Sequence, residues 1–369
     1  MISVFRGFVN EGLINSEQIK NTGAQNKAIC ITYTIVSKAN RIVHKLPKSA
    51  EKICIYIRRG FLKKPLNFYK RCMILSIFKG LCTALVTPFC DDGSVDFFSF
   101  GNLEEENIKA GADALLVCGT TGENACMKKE EQIGLAGFAV KNAKWRVPVI
   151  CYAGSNNTEK AVYMAQRTAL MGADALLLIT PYYNRCSREG LYRHFKAAAE
   201  SVDIPCIVYN VPGRTGLDIS SEDYERLLNI KNIAGIKEAS GSLKKAKELV
   251  ELSGERADVY SGSDDLNIPV MKLGGSGAIS VLSNIIPGEM KRIMDMCLGG
   301  NFDEAENIYK KYRGLASLLF KEVNPIPVKY CLYLMGLLKP NYRLPLCRPD
   351  EELAGKLKNE LIAGGIIND

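Results

Sequence analysis

The chain has 369 residues, 47% hydrophobic and 24% charged, enough apolar material for one large α/β domain or two ordinary ones. No run of about 18 apolar residues occurs, so no membrane span is expected; 13 scattered cysteines and two histidines, His44 and His194, argue against a zinc site and against a disulfide framework. The net charge of +8 sits at one end: residues 1–72 hold 14 basic against 3 acidic residues, and the remaining 34 basic and 37 acidic residues give no case for nucleic-acid binding.

Residues 1–72 differ in kind from the rest of the chain. They are rich in Ile, Lys, Asn, Tyr and Arg and show neither sustained helical period nor clean alternation. Three readings compete: a targeting peptide, a basic arm for an acidic partner, or a segment upstream of the true start at Met73. The third is preferred, because Met73 stands just before the first convincing strand; otherwise the segment is expected to lack order. From residue 73 the expectation is a catalytic barrel over 73–300 and a helical region over 301–369.

Apolar runs of strand length recur at 83–87, 114–117, 149–151, 175–179, 206–209, 233–236, 259–260 and 277–280. Amphipathic helical stretches separate them, among them 128–142, 159–171, 188–201 and 243–253. Eight strands with crossovers predict a closed parallel (β/α)₈ TIM barrel with a C-terminal helical extension over 302–320, 327–337 and 351–363. An open doubly wound sheet is the alternative, but no GxGxxG follows the first strand.

In such a barrel the chemistry lies where strands end. After the second strand stands Gly119-Thr120-Thr121-Gly122-Glu123, whose backbone N–H groups and hydroxyls suit a carboxylate. By itself that turn reads first as a Gly-rich loop whose threonines cap the next helix. After the fourth come Pro181-Tyr182-Tyr183-Asn184, taken singly as core or interface aromatics, or as phenols that relay protons. The fifth ends in Tyr209, followed by Val211-Pro212-Gly213-Arg214, where an arginine on an exposed turn suits carboxylate binding and, alone, is an ordinary solvated charge.

Lys237 closes the sixth strand in Ala234-Gly235-Ile236-Lys237-Glu238-Ala239. Most lysines are surface charges. One at the end of an apolar strand is poorly solvated, which disfavours the ammonium, and a neutral amine attacks carbonyls to form a Schiff base. Gly262, after the seventh strand, leaves space for a ligand, and Ser263 or Asp264 is expected to cap a helix. Ile279 in the eighth strand walls off the lysine. Each signal is modest; drawn from several βα units around one mouth, they point together to carbonyl chemistry on Lys237.

These motifs, with Asn324-Pro325-Ile326-Pro327-Val328-Lys329, resemble the dihydrodipicolinate synthase family of class I pyruvate-dependent aldolases, from about residue 77 to the C-terminus. The resemblance implies a carbon–oxygen lyase that condenses pyruvate with L-aspartate 4-semialdehyde to 4-hydroxy-tetrahydrodipicolinate, toward diaminopimelate and lysine. It implies that Lys237 forms the imine, and that Tyr209 moves protons through Thr120 to Tyr183 of a partner. Thr121 and Ile279 would hold pyruvate, with Gly262 lining the site, and Arg214 would receive the semialdehyde carboxylate. No cofactor or metal is implied, and a homotetramer, a dimer of dimers, is; the scattered cysteines read as reduced thiols of a cytoplasmic protein, and neither a membrane nor a nucleic-acid partner is expected.

Family members inhibited by lysine carry histidines and a glutamate where this chain has Lys129, Gln132 and Lys160, although Asn156 and Tyr182 remain. An ammonium opposite Lys160 is repelled, so weak or absent lysine feedback is expected. Two rival functions stand: N-acetylneuraminate lyase or a 2-keto-3-deoxy sugar acid aldolase, and a non-catalytic keto-acid sensor. The paired threonines and Arg214 favour the synthase over the first, and the intact lysine and phenols favour it over the second.

Overall fold

The computed structural model describes residues 76–368. The expectations for residues 1–72 lie outside the described residues.

Eight parallel strands close on themselves in chain order. They are β1 (Gly80–Ala84), β2 (Ala114–Val117), β3 (Val149–Tyr152), β4 (Ala175–Ile179), β5 (Cys206–Asn210), β6 (Ile233–Glu238), β7 (Asp258–Ser261) and β8 (Gly277–Ser280). The TIM barrel expected from the spacing of apolar runs is therefore the fold. Helices cover the outside, so strands such as Ala175–Ile179 are buried on both faces and read as unbroken apolar letters.

The crossovers are α1 (Phe97–Lys109), α2 (Lys129–Ala143), α3 (Thr158–Leu170), α4 (Arg188–Glu200), the single turn α5 (Pro212–Thr215) with α6 (Ser221–Leu227), α7 (Leu243–Ser253), α8 (Asn267–Lys272) and α9 (Pro287–Leu298). Side chains of Asp96, Asn157, Ser187, Ser220 and Ser242 accept the free N–H groups at the starts of α1, α3, α4, α6 and α7. These caps stop each helix from running back into the strand before it.

Several boundaries differ from expectation, and three of them show why. The first strand starts at Gly80 rather than residue 83, where the chain passes close to β8: a Cβ on Gly277 would lie 2.4 Å from the Gly80 carbonyl oxygen. The sixth strand runs two residues past 236, so Lys237 lies inside the ladder rather than just beyond it. The helix expected over 302–320 is two, α10 (Phe302–Lys310) and α11 (Arg313–Leu318), broken where Tyr312 turns inward and is buried.

The C-terminal extension continues with α12 (Ile326–Leu334) and α13 (Glu351–Ala363), the latter begun by an Asp350 cap. These helices pack on one another and on α9. Their apolar faces form a second core with Leu81 of β1 and Ala278 of β8, while a first core fills the barrel and its other flank. The segment between α12 and α13 returns to the barrel mouth. There Lys329 and Arg343 pair with Glu123 and Glu131 from the β2 side.

Candidate active site

Lys237 is held by its strand. Its Cα is in register with Tyr209 on β5 and Tyr260 on β7, and parallel neighbours in register present side chains to the same face. That face is the barrel interior. The Lys237 charge reaches the thiol of Cys82 on β1, a strand that does not neighbour β6, across the lumen. Burial nonetheless pushes that thiol well above its ordinary value and leaves it inert.

Lys237 is 6% exposed, and no carboxylate among the described residues forms an ion pair with it. Its Nζ stands 4.4 Å from the centroid of the Tyr209 ring, itself 5% exposed. The adjacent Glu238 accepts from Asn210 Nδ2 at 3.0 Å and from the Ser240 N–H at 2.6 Å, so its charge is spent away from the amine. Gly262 keeps the stem free: a Cβ there would fall 2.9 Å from Lys237 Cε and 2.8 Å from Ala239 Cβ. The glycine is needed for the lysine's own side chain, beyond any space it leaves for a ligand. Ile279 is buried in β8, beside Cys82.

The other side of the mouth is built from loops. Two successive turns, Gly122 N–H to Gly119 O at 3.0 Å and Glu123 N–H to Thr120 O at 3.1 Å, shape the threonine loop. Cys118 and Glu123, at φ 56° and 55°, bracket it in the left-handed region, which non-glycine residues adopt only where their surroundings force it. Here the force is visible. Glu123 is fully buried, pairs with the Lys329 Nζ, and accepts the Arg343 N–H at 3.4 Å. Burial pushes its carboxyl up and the Lys329 amine down, and each partner's charge opposes the shift of the other.

Neither threonine caps the following helix. Thr120 is partly exposed; Thr121 is buried and accepts from Asn324 Nδ2 at 3.0 Å. Arg214 stands exposed on α5 and donates from Nη2 to the Asn324 carbonyl oxygen at 3.0 Å. Ser263 and Asp264 make no side-chain cap on the turn they begin. Asp264 instead accepts the N–H groups of Val281 and Leu282, at 3.0 and 2.9 Å, and fixes the end of β8.

Tyr183, expected as a catalytic residue, lies at the surface of the chain. Its side chain is 93% exposed and its backbone left-handed at φ 67°. Sequence reasoning missed Tyr152, the last residue of β3, because the strand was expected to end at residue 151. It is buried, and burial together with the facing phenols of Tyr182 and Tyr209 holds its own phenol well above the usual tyrosine value, with Asn124 as an opposing hydrogen-bond partner. A strand-end tyrosine after three apolar letters was the available signal. Asn324 was noted only as part of a motif, with no contact foreseen. Among the described residues no group of three or more His, Cys, Asp or Glu side chains is arranged to hold a metal ion.

The arrangement offers a buried amine for a carbonyl, phenols beside it for proton transfer, and hydroxyl and guanidinium groups for carboxylates. The sequence pattern of the Dihydrodipicolinate synthetase family matches residues 77–363. The chain is 44% identical over 291 residues to a 4-hydroxy-tetrahydrodipicolinate synthase of Clostridium perfringens, covering 79% of this chain and all of the relative. A synthase of the same name from Caldicellulosiruptor bescii is 42% identical over 79% of this chain and 99% of its own. Among solved structures, a dihydrodipicolinate synthase from Acinetobacter baumannii, complexed with pyruvate, is 40% identical and superposes with a TM-score of 0.77 over 78% of this chain and 99% of that one. No helix among the described residues is long and apolar enough to cross a membrane. Matched along the whole barrel and its C-terminal helices, the chain belongs to the dihydrodipicolinate synthetase family.

Proposed function

We propose that this chain condenses pyruvate with L-aspartate 4-semialdehyde to 4-hydroxy-tetrahydrodipicolinate, the reaction its relatives' name denotes, through an imine on Lys237. The observation that carries the reading is the buried Lys237 amine, 4.4 Å from the Tyr209 ring centroid, with no carboxylate ion pair among the described residues. The Lys237 amine adds to the keto carbon of pyruvate and water leaves, giving the imine. A methyl proton is then lost, and the electron pair left behind is drawn into the protonated imine as an enamine. The enamine carbon attacks the aldehyde carbon. The substrate's own amine next displaces Lys237 from the imine carbon, closing the ring and returning the lysine.

Tyr209 is assigned the proton transfers beside the amine, with Thr120 next in the relay. Thr121 and Ile279 hold the keto acid, and Arg214 receives the second carboxylate. Tyr183, exposed and strained in one chain, is assigned to the mouth of a second copy within a cytoplasmic homotetramer. Steady-state turnover with L-aspartate 4-semialdehyde and with N-acetylneuraminate separates this reading from its nearest rival. Turnover of the sialic acid, and none of the semialdehyde, would refute it.

Feedback by lysine is assigned as weak or absent. The Gln132 amide is already committed to the Asn124 and Met127 carbonyl oxygens, at 2.9 and 3.2 Å, and Lys129 lies over the Tyr163 ring. Rates are expected to hold within about twofold up to millimolar lysine, since a like charge at Lys160 costs affinity. Half-inhibition at sub-millimolar lysine would overturn this.

A further inference from the structure

Asn324 precedes α12 and is 6% exposed, yet it touches both carboxylate-receiving residues of the mouth. Its side-chain Nδ2 donates to Thr121 Oγ1 at 3.0 Å, and its main-chain oxygen accepts from Arg214 Nη2 at 3.0 Å. Thr121 follows β2 and Arg214 follows β5, strands that are not neighbours in the barrel. Asn324 spans the gap between them.

The direction of each bond matters. A threonine oxygen that accepts from an amide must send its own hydrogen elsewhere, which leaves that hydrogen for a bound carboxylate. An arginine tied by one Nη2 keeps its other N–H groups for a second carboxylate and loses the freedom to swing away. Asn324 is itself tied to the threonine loop a second time. Lys329, one turn into α12, is buried in an ion pair with Glu123, two residues after Thr121. The Asn324 Oδ1 is buried and bonds to no other described residue.

We propose that Asn324 is a positioning residue that couples the two substrate subsites: through its side chain it aims the Thr121 hydroxyl at the keto acid, and through its backbone it holds Arg214 over the aldehyde's carboxylate. This rests on the function proposed above. The coupling makes the semialdehyde subsite depend on a side chain that belongs to the pyruvate subsite.

The test is steady-state kinetics on the full chain with Asn324→Leu, close in shape, and Asn324→Ala, each alone and combined with Thr121→Val. Asn324→Leu is expected to raise the pyruvate KM about tenfold and the semialdehyde KM severalfold, with kcat within about threefold. Added to Thr121→Val, it should raise the pyruvate KM by less than about twofold further, since the two residues act as one unit. Borohydride trapping of Lys237 at saturating pyruvate should stay complete in every variant; its loss in the unsubstituted chain would instead defeat the proposed function. An unchanged pyruvate KM, effects of Asn324→Leu and Thr121→Val that multiply, or a semialdehyde KM left at the wild-type value would each overturn the coupling. Should Asn324→Leu not fold, Asn324→Ala carries the same expectations and the same refutations.

Discussion

The two halves of the mouth are made differently. On one side Lys237 and Tyr209 stand on neighbouring strands in register, and their spacing is that of a β-ladder. On the other, Thr120 and Thr121 ride a strained loop held by Asn324, Lys329 and Arg343 from the far end of the chain. The strand-built half needs little beyond its own hydrogen bonds. The loop-built half is set by a buried ion pair and by a segment that returns after the barrel is complete. The amine proposed to react thus sits on a β-ladder, and the residues proposed to recognise substrate sit on the half that depends on distant contacts.

Lys329→Met strikes the loop-built half hardest. It leaves Glu123 buried and unpaired, and is expected to cost about 3–5 kcal/mol of stability, read as a fall in denaturation midpoint. In the protein that remains folded, the pyruvate KM should rise while slow trapping at Lys237 persists. Stability within about 1 kcal/mol of wild type would show that the ion pair does not hold the loop.

Gly262→Ala strikes the other half. The new methyl must displace the Lys237 stem or Ala239, at 2.9 and 2.8 Å. A misplaced reacting atom costs about a hundredfold in kcat/KM, or ~2.7 kcal/mol. The loss should appear in kcat and in the trapping rate, beside an overpacking cost of about 1–3 kcal/mol in stability. Full activity in the alanine variant would mean that the lysine does not act from this position.

Glu104 on α1, outside both halves, provides the control. Its Oε2 accepts from Asn142 at 3.0 Å, its Oε1 has no partner, and burial pushes its carboxyl from 4.5 up to about 7. The folded state therefore keeps a proton that the unfolded chain loses between pH 4.5 and about 7. That contribution is full below pH 4.5 and is lost as pH rises through about 7. Glu104→Gln stays neutral throughout, so from pH 5 to pH 8 it should gain about 2 kcal/mol on the wild type while both KM values stay unchanged. Parallel stability–pH curves for the two proteins would contradict the assignment.

The same contrast explains what the amino-acid order revealed. The eight strands and Lys237 were legible because buried parallel strands are short apolar runs, and a lysine in one is conspicuous. The end of β6 was not, since Lys237 and Glu238 are polar letters that only the ladder with Tyr209 and Asn210 shows to be strand. Tyr152 was lost to a one-residue boundary. The contacts of Asn324 with Thr121 and of Lys329 with Glu123 span 203 and 206 residues, and no local pattern encodes such pairings. The break between α10 and α11 was equally hidden, because Tyr309 and Tyr312 fit one continuous helical face in the sequence.

The proposed chemistry turns on a covalent bond between one nitrogen and a keto acid. Incubation with pyruvate and borohydride, followed by peptide mass spectrometry, should find the reduced adduct on Lys237 of the intact protein and on no other lysine. A folded protein that yields no adduct, or carries it elsewhere, would contradict it.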